Sequence, residues 1–222
     1  MTSGQVATET INGLMAGSDT SSSTLAWTIH FFLLHPHTYS RVIKEVRSQF
    51  DRDHMITFNE SREHFPFLQA CIYETLRLVP ATNDLPRCMP PGGAVFQGHY
   101  IPEGYTCLVS LSTANRLPSI WERPEEFYPE RFMDNENNRR QMLSFSSGVR
   151  ACPGKNLAWM QVLPTLANII NKYDLKLPAD ALFTPDHVDK LGNPIFMPAM
   201  VTAMTAPKYP ERDCVALISK RT

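Results

Sequence analysis

The ten residues Phe145-Ser146-Ser147-Gly148-Val149-Arg150-Ala151-Cys152-Pro153-Gly154 set one thiol in a turn suited to holding it as a thiolate. Gly148 lets the chain turn with few steric limits, and Gly154 allows backbone to approach where a side chain would collide. Pro153 has a fixed φ and no N–H, which suits the start of a helix. Apolar residues recur with helical spacing at Leu157, Met160 and Leu163, so a helix begins just past Cys152. Its free amide hydrogens and positive dipole end then face the sulfur and favour the charged form, which is the form that binds a metal. Arg150 can form a charge-assisted pair with an acidic group on a bound cofactor, and Phe145 can cover one side of a flat one. Two other clusters carry chemistry. Glu74 and Arg77 share a helix face at i,i+3, an arrangement that by itself describes a solvated ion pair contributing little. Ala16-Gly17-Ser18-Asp19-Thr20 sets small residues beside an acid and a hydroxyl. Gly17 weakens a helix by about 1 kcal/mol relative to Ala, and hydroxyls compete for backbone carbonyls, so a kink or widened turn is expected there.

The decapeptide fits Phe-x-x-Gly-x-Arg-x-Cys-x-Gly at every defined position and so resembles the haem-binding loop of the cytochrome P-450 family. That resemblance implies haem b, iron protoporphyrin IX, with Cys152 as the thiolate ligand of the metal and Phe145, Arg150 and Gly154 as cofactor-binding residues. Arg87, in Leu85-Pro86-Arg87, stands where family members place a basic residue on a haem propionate. Glu74-Thr75-Leu76-Arg77 is the family's Glu-x-x-Arg, and Pro129-Glu130-Arg131-Phe132 resembles the segment whose arginine joins that pair in a buried structural network. Stranding a buried charge is costly, so losing Glu74, Arg77 or Arg131 should cost several kcal/mol and haem incorporation. Asp19 and Thr20 correspond to the catalytic acid and hydroxyl that handle protons on the family's central oxygen-binding helix. Thiolate ligation favours O–O cleavage over reversible oxygen carriage. The implied activity is therefore a monooxygenase reaction in which one atom of O2 enters a lipophilic small molecule, with electrons from NADPH through a reductase. Lys155, Arg139 and Arg140 are the implied reductase contacts. Leu14, Ala16, Val79, Ala81, Thr82, Asn83 and residues 195–197 would line a mostly apolar substrate pocket. The stretch 85–94 is similar to fungal secondary-metabolism members.

The elements that must position these residues follow from periodicity and punctuation. Of 18 prolines, 16 fall at or beyond Pro80, so the first third reads as helical, with helices over 5–34, 36–50 and 66–78. His35-Pro36-His37 reads as a solvated turn after the first helix. Residues 94–101 and 106–110, joined by Pro102-Glu103-Gly104, read as a hairpin. A short helix is expected over 112–117, then a meander over 118–144 with an exposed tip at 135–140. A helix over 156–172, kinked at Pro164, leads into a β-rich tail through Pro207. Gln161 stands where the family often has Glu.

The 222 residues carry a net charge of −1, which leaves no basic footprint for nucleic acid, and no apolar run is long enough to span a bilayer. Five scattered cysteines, with no Cys-x-x-Cys, argue against a disulfide framework or a zinc site. The resemblance begins inside the central helix and runs to the C-terminus, so 1–222 reads as a single partial domain. Its class is mainly α with small β-sheets (α+β), the haem-binding C-terminal half of the cytochrome P-450 fold, truncated. The N-terminal half of the parent enzyme is expected to carry the membrane anchor and the other wall of the haem pocket, at the cytosolic face of the endoplasmic reticulum. Two further readings stay open: an isomerase or dehydratase on the same fold, disfavoured by Asp19-Thr20, and a truncated non-catalytic fragment unable to hold haem alone.

Overall fold

Thr2 opens the first helix with a capping box: its hydroxyl accepts from the Gln5 N–H while the Gln5 side chain accepts from the Thr2 N–H. In this computed structural model, which describes residues 1–202 and 204–221, α1 therefore starts at Ser3, two residues before the periodicity suggests, and runs to Leu34. It stays α-helical through Gly17, so the expected widened turn is absent. The Thr20 hydroxyl adds a 2.7 Å bond to the Ala16 carbonyl instead of displacing the ladder.

Helix α2 (Pro36–Arg47) ends three residues before the expected limit. His35, read from sequence as solvated, is half-buried between the two helices, with its ring 4.9 Å from that of Phe127 and its Nδ1 2.9 Å from the Phe31 carbonyl; His37 is exposed. A short α3 (Phe58–His64) carries its own capping box, Thr57 with Glu60, which the periodicity did not register. Helix α4 spans Pro66–Leu78, and Glu45 of α2 accepts from its first free amides, Phe67 and Leu68, at 2.8 and 2.9 Å.

The strands pair differently from the expected hairpin. β1 (Asp84–Cys88) pairs antiparallel with β4 (Thr106–Ser110), while β2 (Ala94–Phe96) pairs with β3 (His99–Ile101). Gln97 and Gly98 explain this: their φ values of 47° and 83° form the double left-handed turn whose twist matches flanking strands. Pro102-Glu103-Gly104 instead leads on into β4. α5 is Leu111–Ala114, shorter than expected and shifted one residue toward the N-terminus. The meander contains a 3₁₀ turn (Pro129–Phe132), and its expected tip is a short helix, α6 (Glu136–Gln141), capped by Asn135. α7 (Lys155–Lys172) continues through Pro164, and the tail supplies β5 (Tyr173–Lys176), β6 (Ala199–Val201), β7 (Thr205–Pro207), α8 (Pro210–Asp213) and β8 (Leu217–Lys220). β5 pairs with β8 and β6 with β7, both antiparallel.

The core forms where the C-terminal half of α1 meets α4 and α7, around Trp27, Phe31, Phe32, Leu68, Ile72, Leu163 and Leu166. Phe31 stacks on Phe127 of the meander at 4.6 Å, which clamps that irregular segment to the helices. No helix among the described residues is long and apolar enough to cross a membrane.

Candidate functional site

A carboxylate taken into the core must find donors for all its lone pairs, and Glu74 finds four. Arg77 Nε and Nη2 donate to it at 2.8 and 2.9 Å, the Tyr128 amide at 2.8 Å and Arg131 Nε at 3.1 Å. Glu74 and Arg77 are fully buried and Arg131 is 7% exposed. Arg77 turns its remaining donors to the carbonyls of Asn115, Pro124 and Glu126, and Arg131 turns its own to those of Glu122 and Arg123. The three charged residues thus fasten the meander to α4.

The fastening extends to the cysteine loop. Asn115, whose carbonyl Arg77 holds, donates from its side chain to the Ser144 hydroxyl at 3.1 Å, and Ser144 donates to the Leu76 carbonyl at 2.7 Å. Just after this anchor, Ser146 and Gly148 take positive φ values of 58° and 62°, and a 3₁₀ turn spans Gly148–Arg150. The Cys152 amide then donates back to the Phe145 carbonyl at 2.8 Å, which closes the loop. Gly154 is the N-cap of α7, and a Cβ there would lie 3.8 Å from the Cys152 sulfur.

Between this loop and α1 lies a cavity of about 590 Å³. One wall holds Phe145, Arg150, Cys152 and Gly154, joined by Leu157, Ala158 and Gln161 of α7. The facing wall is one stripe of α1: Gly13, Ala16, Gly17, Thr20, Ser21 and Thr24, spaced i, i+3, i+4, i+7, i+8, i+11. Ser21 donates across the cleft to Gln161 at 3.3 Å. Ala81 and Thr82 close one end. The volume falls in the range of about 300–1,000 Å³ usual for ligand clefts.

Several residues singled out in the sequence stand elsewhere. Asp19 is exposed and outside the cavity lining, and Arg87 points its guanidinium at the neighbouring Pro86 carbonyl, 2.7 Å away. Leu14, Val79, Asn83 and residues 195–197 do not line the cavity: Val79 and Met197 are packed in the core, and Leu14 is 71% exposed. Of the basic residues, Arg139 donates to the Phe132 carbonyl and sits 5.4 Å over the Tyr73 ring, and Arg140 pairs with Glu136. Lys155 lies 5.6 Å over the Phe145 ring. Conversely, Trp159 was not anticipated: it lines the cavity, packs on Tyr73 at 4.6 Å, and its buried indole N–H has no partner among the described residues.

The residues present suit a flat, apolar, acid-bearing cofactor. One thiol, Cys152, lines a mostly apolar cleft, with the Arg150 side chain on the same wall able to meet an acidic group. No group of three or more His, Cys, Asp or Glu side chains among the described residues is arranged to hold a bare metal ion.

Comparison with known proteins gives the same family from sequence and from fold. The family model described as Cytochrome P450 matches residues 1–195. Among curated relatives, the cytochrome P450 monooxygenase helB1 of Aspergillus fumigatus is 42% identical over 98% of this chain and 38% of its own length. The cytochrome P450 monooxygenase helB3 of the same fungus is 43% identical over 100% of this chain and 44% of its own length. A zebra fish cytochrome P450 solved with abiraterone superposes with a TM-score of 0.76 at 27% identity, over 93% of this chain and 45% of that one. The chain thus spans less than half the length of the relatives it matches.

Proposed function

The chain belongs to the cytochrome P450 family, and from that premise we propose that it is the haem-thiolate portion of a monooxygenase that places one atom of O2 into a lipophilic small molecule. The observation that carries this reading is the cavity itself, in which the loop bearing Cys152 faces the Gly17–Thr20 stripe of α1. Haem b, bound through Cys152, supplies oxygen activation with electrons drawn from NADPH through a reductase.

The chain's own residues have separable tasks. Cys152 is the metal ligand, set by the 2.8 Å bond from its amide to Phe145, and Gly154 leaves the space beside its sulfur free of a side chain. Phe145 would cover one side of the cofactor, and Arg150 would pair with one of its propionates. Arg87 reaches one only by leaving the Pro86 carbonyl, a low-cost rotation for a half-exposed guanidinium. Thr20 holds a proton at the cavity wall: its hydroxyl donates to Ala16, which leaves its lone pairs free to accept from a water. Asp19, exposed at the adjacent position, exchanges protons with bulk solvent. The apolar remainder of the cleft suits a lipophilic molecule. Lys155 and Arg140 are the solvent-exposed basic side chains open to a reductase on the cysteine side, Arg140 sharing a surface ion pair with Glu136, whereas Arg139 is half-buried on the Phe132 carbonyl. The parent enzyme is assigned to the cytosolic face of the endoplasmic reticulum.

A second reading is favoured by one observation: Arg150, Cys152 and Leu157, all on the cavity wall, are exposed to solvent. The cleft is then open on one side, and the chain is a non-catalytic fragment that cannot retain haem. One experiment separates the two. The chain is mixed with haem, reduced and exposed to carbon monoxide. A red-shifted Soret band of the thiolate type, lost in Cys152→Ser, supports the first reading. A folded chain by circular dichroism that takes up no haem establishes the second.

A further inference from the structure

The tail hairpin β6–β7 does not line the cavity, yet it is tied to two of the elements that do. Ser23 of α1 donates to the Thr205 carbonyl at 2.7 Å, a bond buried from solvent. The Thr205 amide donates to the Ala81 carbonyl at 2.8 Å, and Ala81 with Thr82 closes one end of the cavity. Eight residues before Thr205, the Met197 amide donates to His30 Nε2 at 3.0 Å. Ser23 and His30 are seven residues apart on α1, hence on the same face and about 10 Å apart along its axis. The hairpin lies along α1 with one attachment near each of its two ends.

We propose that Ser23 and His30 are positioning residues that strap this hairpin to α1, and that Thr205 thereby fixes the Ala81–Thr82 wall and sets the size of molecule the cavity accepts. The proposal rests on the reading of the cavity as a site for lipophilic molecules. Its physical content is a short series of polarised bonds, from the Ser23 hydroxyl to the Thr205 carbonyl and from the Thr205 amide to the Ala81 carbonyl. Each of the two Thr205 backbone groups has a single partner outside its own hairpin, so removing the Ser23 hydroxyl leaves a buried carbonyl unsatisfied and frees the peptide that grips Ala81. His30 serves as an acceptor because its imidazole is neutral: burial lowers its pKa to about 4, with Asp213 opposing and His35 adding to the shift.

The test compares the full chain with Ser23→Ala, with Ser23→Thr, which keeps the hydroxyl, and with Ser22→Ala, whose hydroxyl serves only the Asp19 carbonyl. Amide exchange is read by mass spectrometry, and binding of two apolar fluorophores of different size, 1-aminoanthracene and Nile red, by fluorescence titration. Ser23→Ala is expected to exchange about tenfold faster at the 204–207 segment. It is also expected to shift the affinity ratio toward Nile red by about fivefold, while Ser23→Thr and Ser22→Ala match the parent chain. Should Ser23→Ala fail to fold, Ser23→Cys, isosteric with a weaker donor, carries the same two readouts. Unchanged exchange, or faster exchange with an unmoved size ratio, overturns the strap alone. A parent chain that binds neither fluorophore overturns the lipophilic-site reading together with it.

Discussion

Arg77 spends all five of its guanidinium N–H groups inside the protein, two on Glu74 and three on the carbonyls of Asn115, Pro124 and Glu126. No shorter or uncharged side chain can reproduce that set, so Arg77→Ala is expected to destabilise the chain by about 3–5 kcal/mol, measured by urea denaturation. Haem uptake should fall with it, because Asn115 transmits the anchorage to Ser144 and the cysteine loop. Cys152→Ser is the contrasting case: its side chain is exposed, so stability should stay within about 0.5 kcal/mol of the parent while the carbon monoxide band disappears. His30 gives a pH signature whose sign can be worked out. Its folded pKa is lowered from 6.5 to about 4, so between those values the unfolded chain binds a proton that the folded chain refuses. Stability is complete above pH 6.5 and declines by about 3 kcal/mol as the pH falls to 4. His35 is lowered in the same direction by burial, so the quantity to read is the difference between the parent and His30→Gln across that window.

Among the elements, the turn at Gln97-Gly98 shows how local chemistry decides pairing. Gly98→Val places a β-branched residue at φ 83° with no neighbour within 4 Å, so the cost is backbone strain alone. The expected result is amide exchange about tenfold faster over β2 and β3 with the global unfolding midpoint unmoved, because an exposed two-stranded hairpin opens on its own. The same turn marks where sequence reading stops. Helices α1, α4 and α7 were legible because their apolar spacing is long and regular. The β-pairing was not, since a Gln-Gly turn and a proline-glycine turn both fall within the eight residues 97–104 and only the backbone distinguishes the hairpin from the connector. The α1 wall was only partly legible. Gly13, Ser21 and Thr24 carry no motif, and their membership becomes visible only when the helical stripe is laid against α7. Arg87 and Asp19 are named by position in the sequence alone, and position does not fix where a long or exposed side chain rests: here one lies on the Pro86 carbonyl and the other in solvent.

At the scale of the whole molecule, the first half of α1 stands clear of the core. Residues 1–16 are all exposed, and Val6, Ile11, Leu14 and Met15 are between 49% and 71% exposed. Apolar side chains displayed at this density favour association, so light scattering should rise with concentration, and Ile11→Glu with Leu14→Glu should suppress it without changing the unfolding midpoint. The partial length relative to its relatives leaves the cysteine loop, the α1 stripe and the charged fastening complete within one chain. That fastening has a corollary for chain continuity. Glu74 and Arg77 precede the solvent-facing Gln97-Gly98 turn, whereas every carbonyl and amide they grip in the meander follows it. A protease nick at that turn would therefore yield two peptides that co-elute as one particle and separate only in denaturant, held like plug and socket by the bonds of Glu74 and Arg77 to the later piece, by the β1–β4 ladder and by the shared core of α1, α4 and α7.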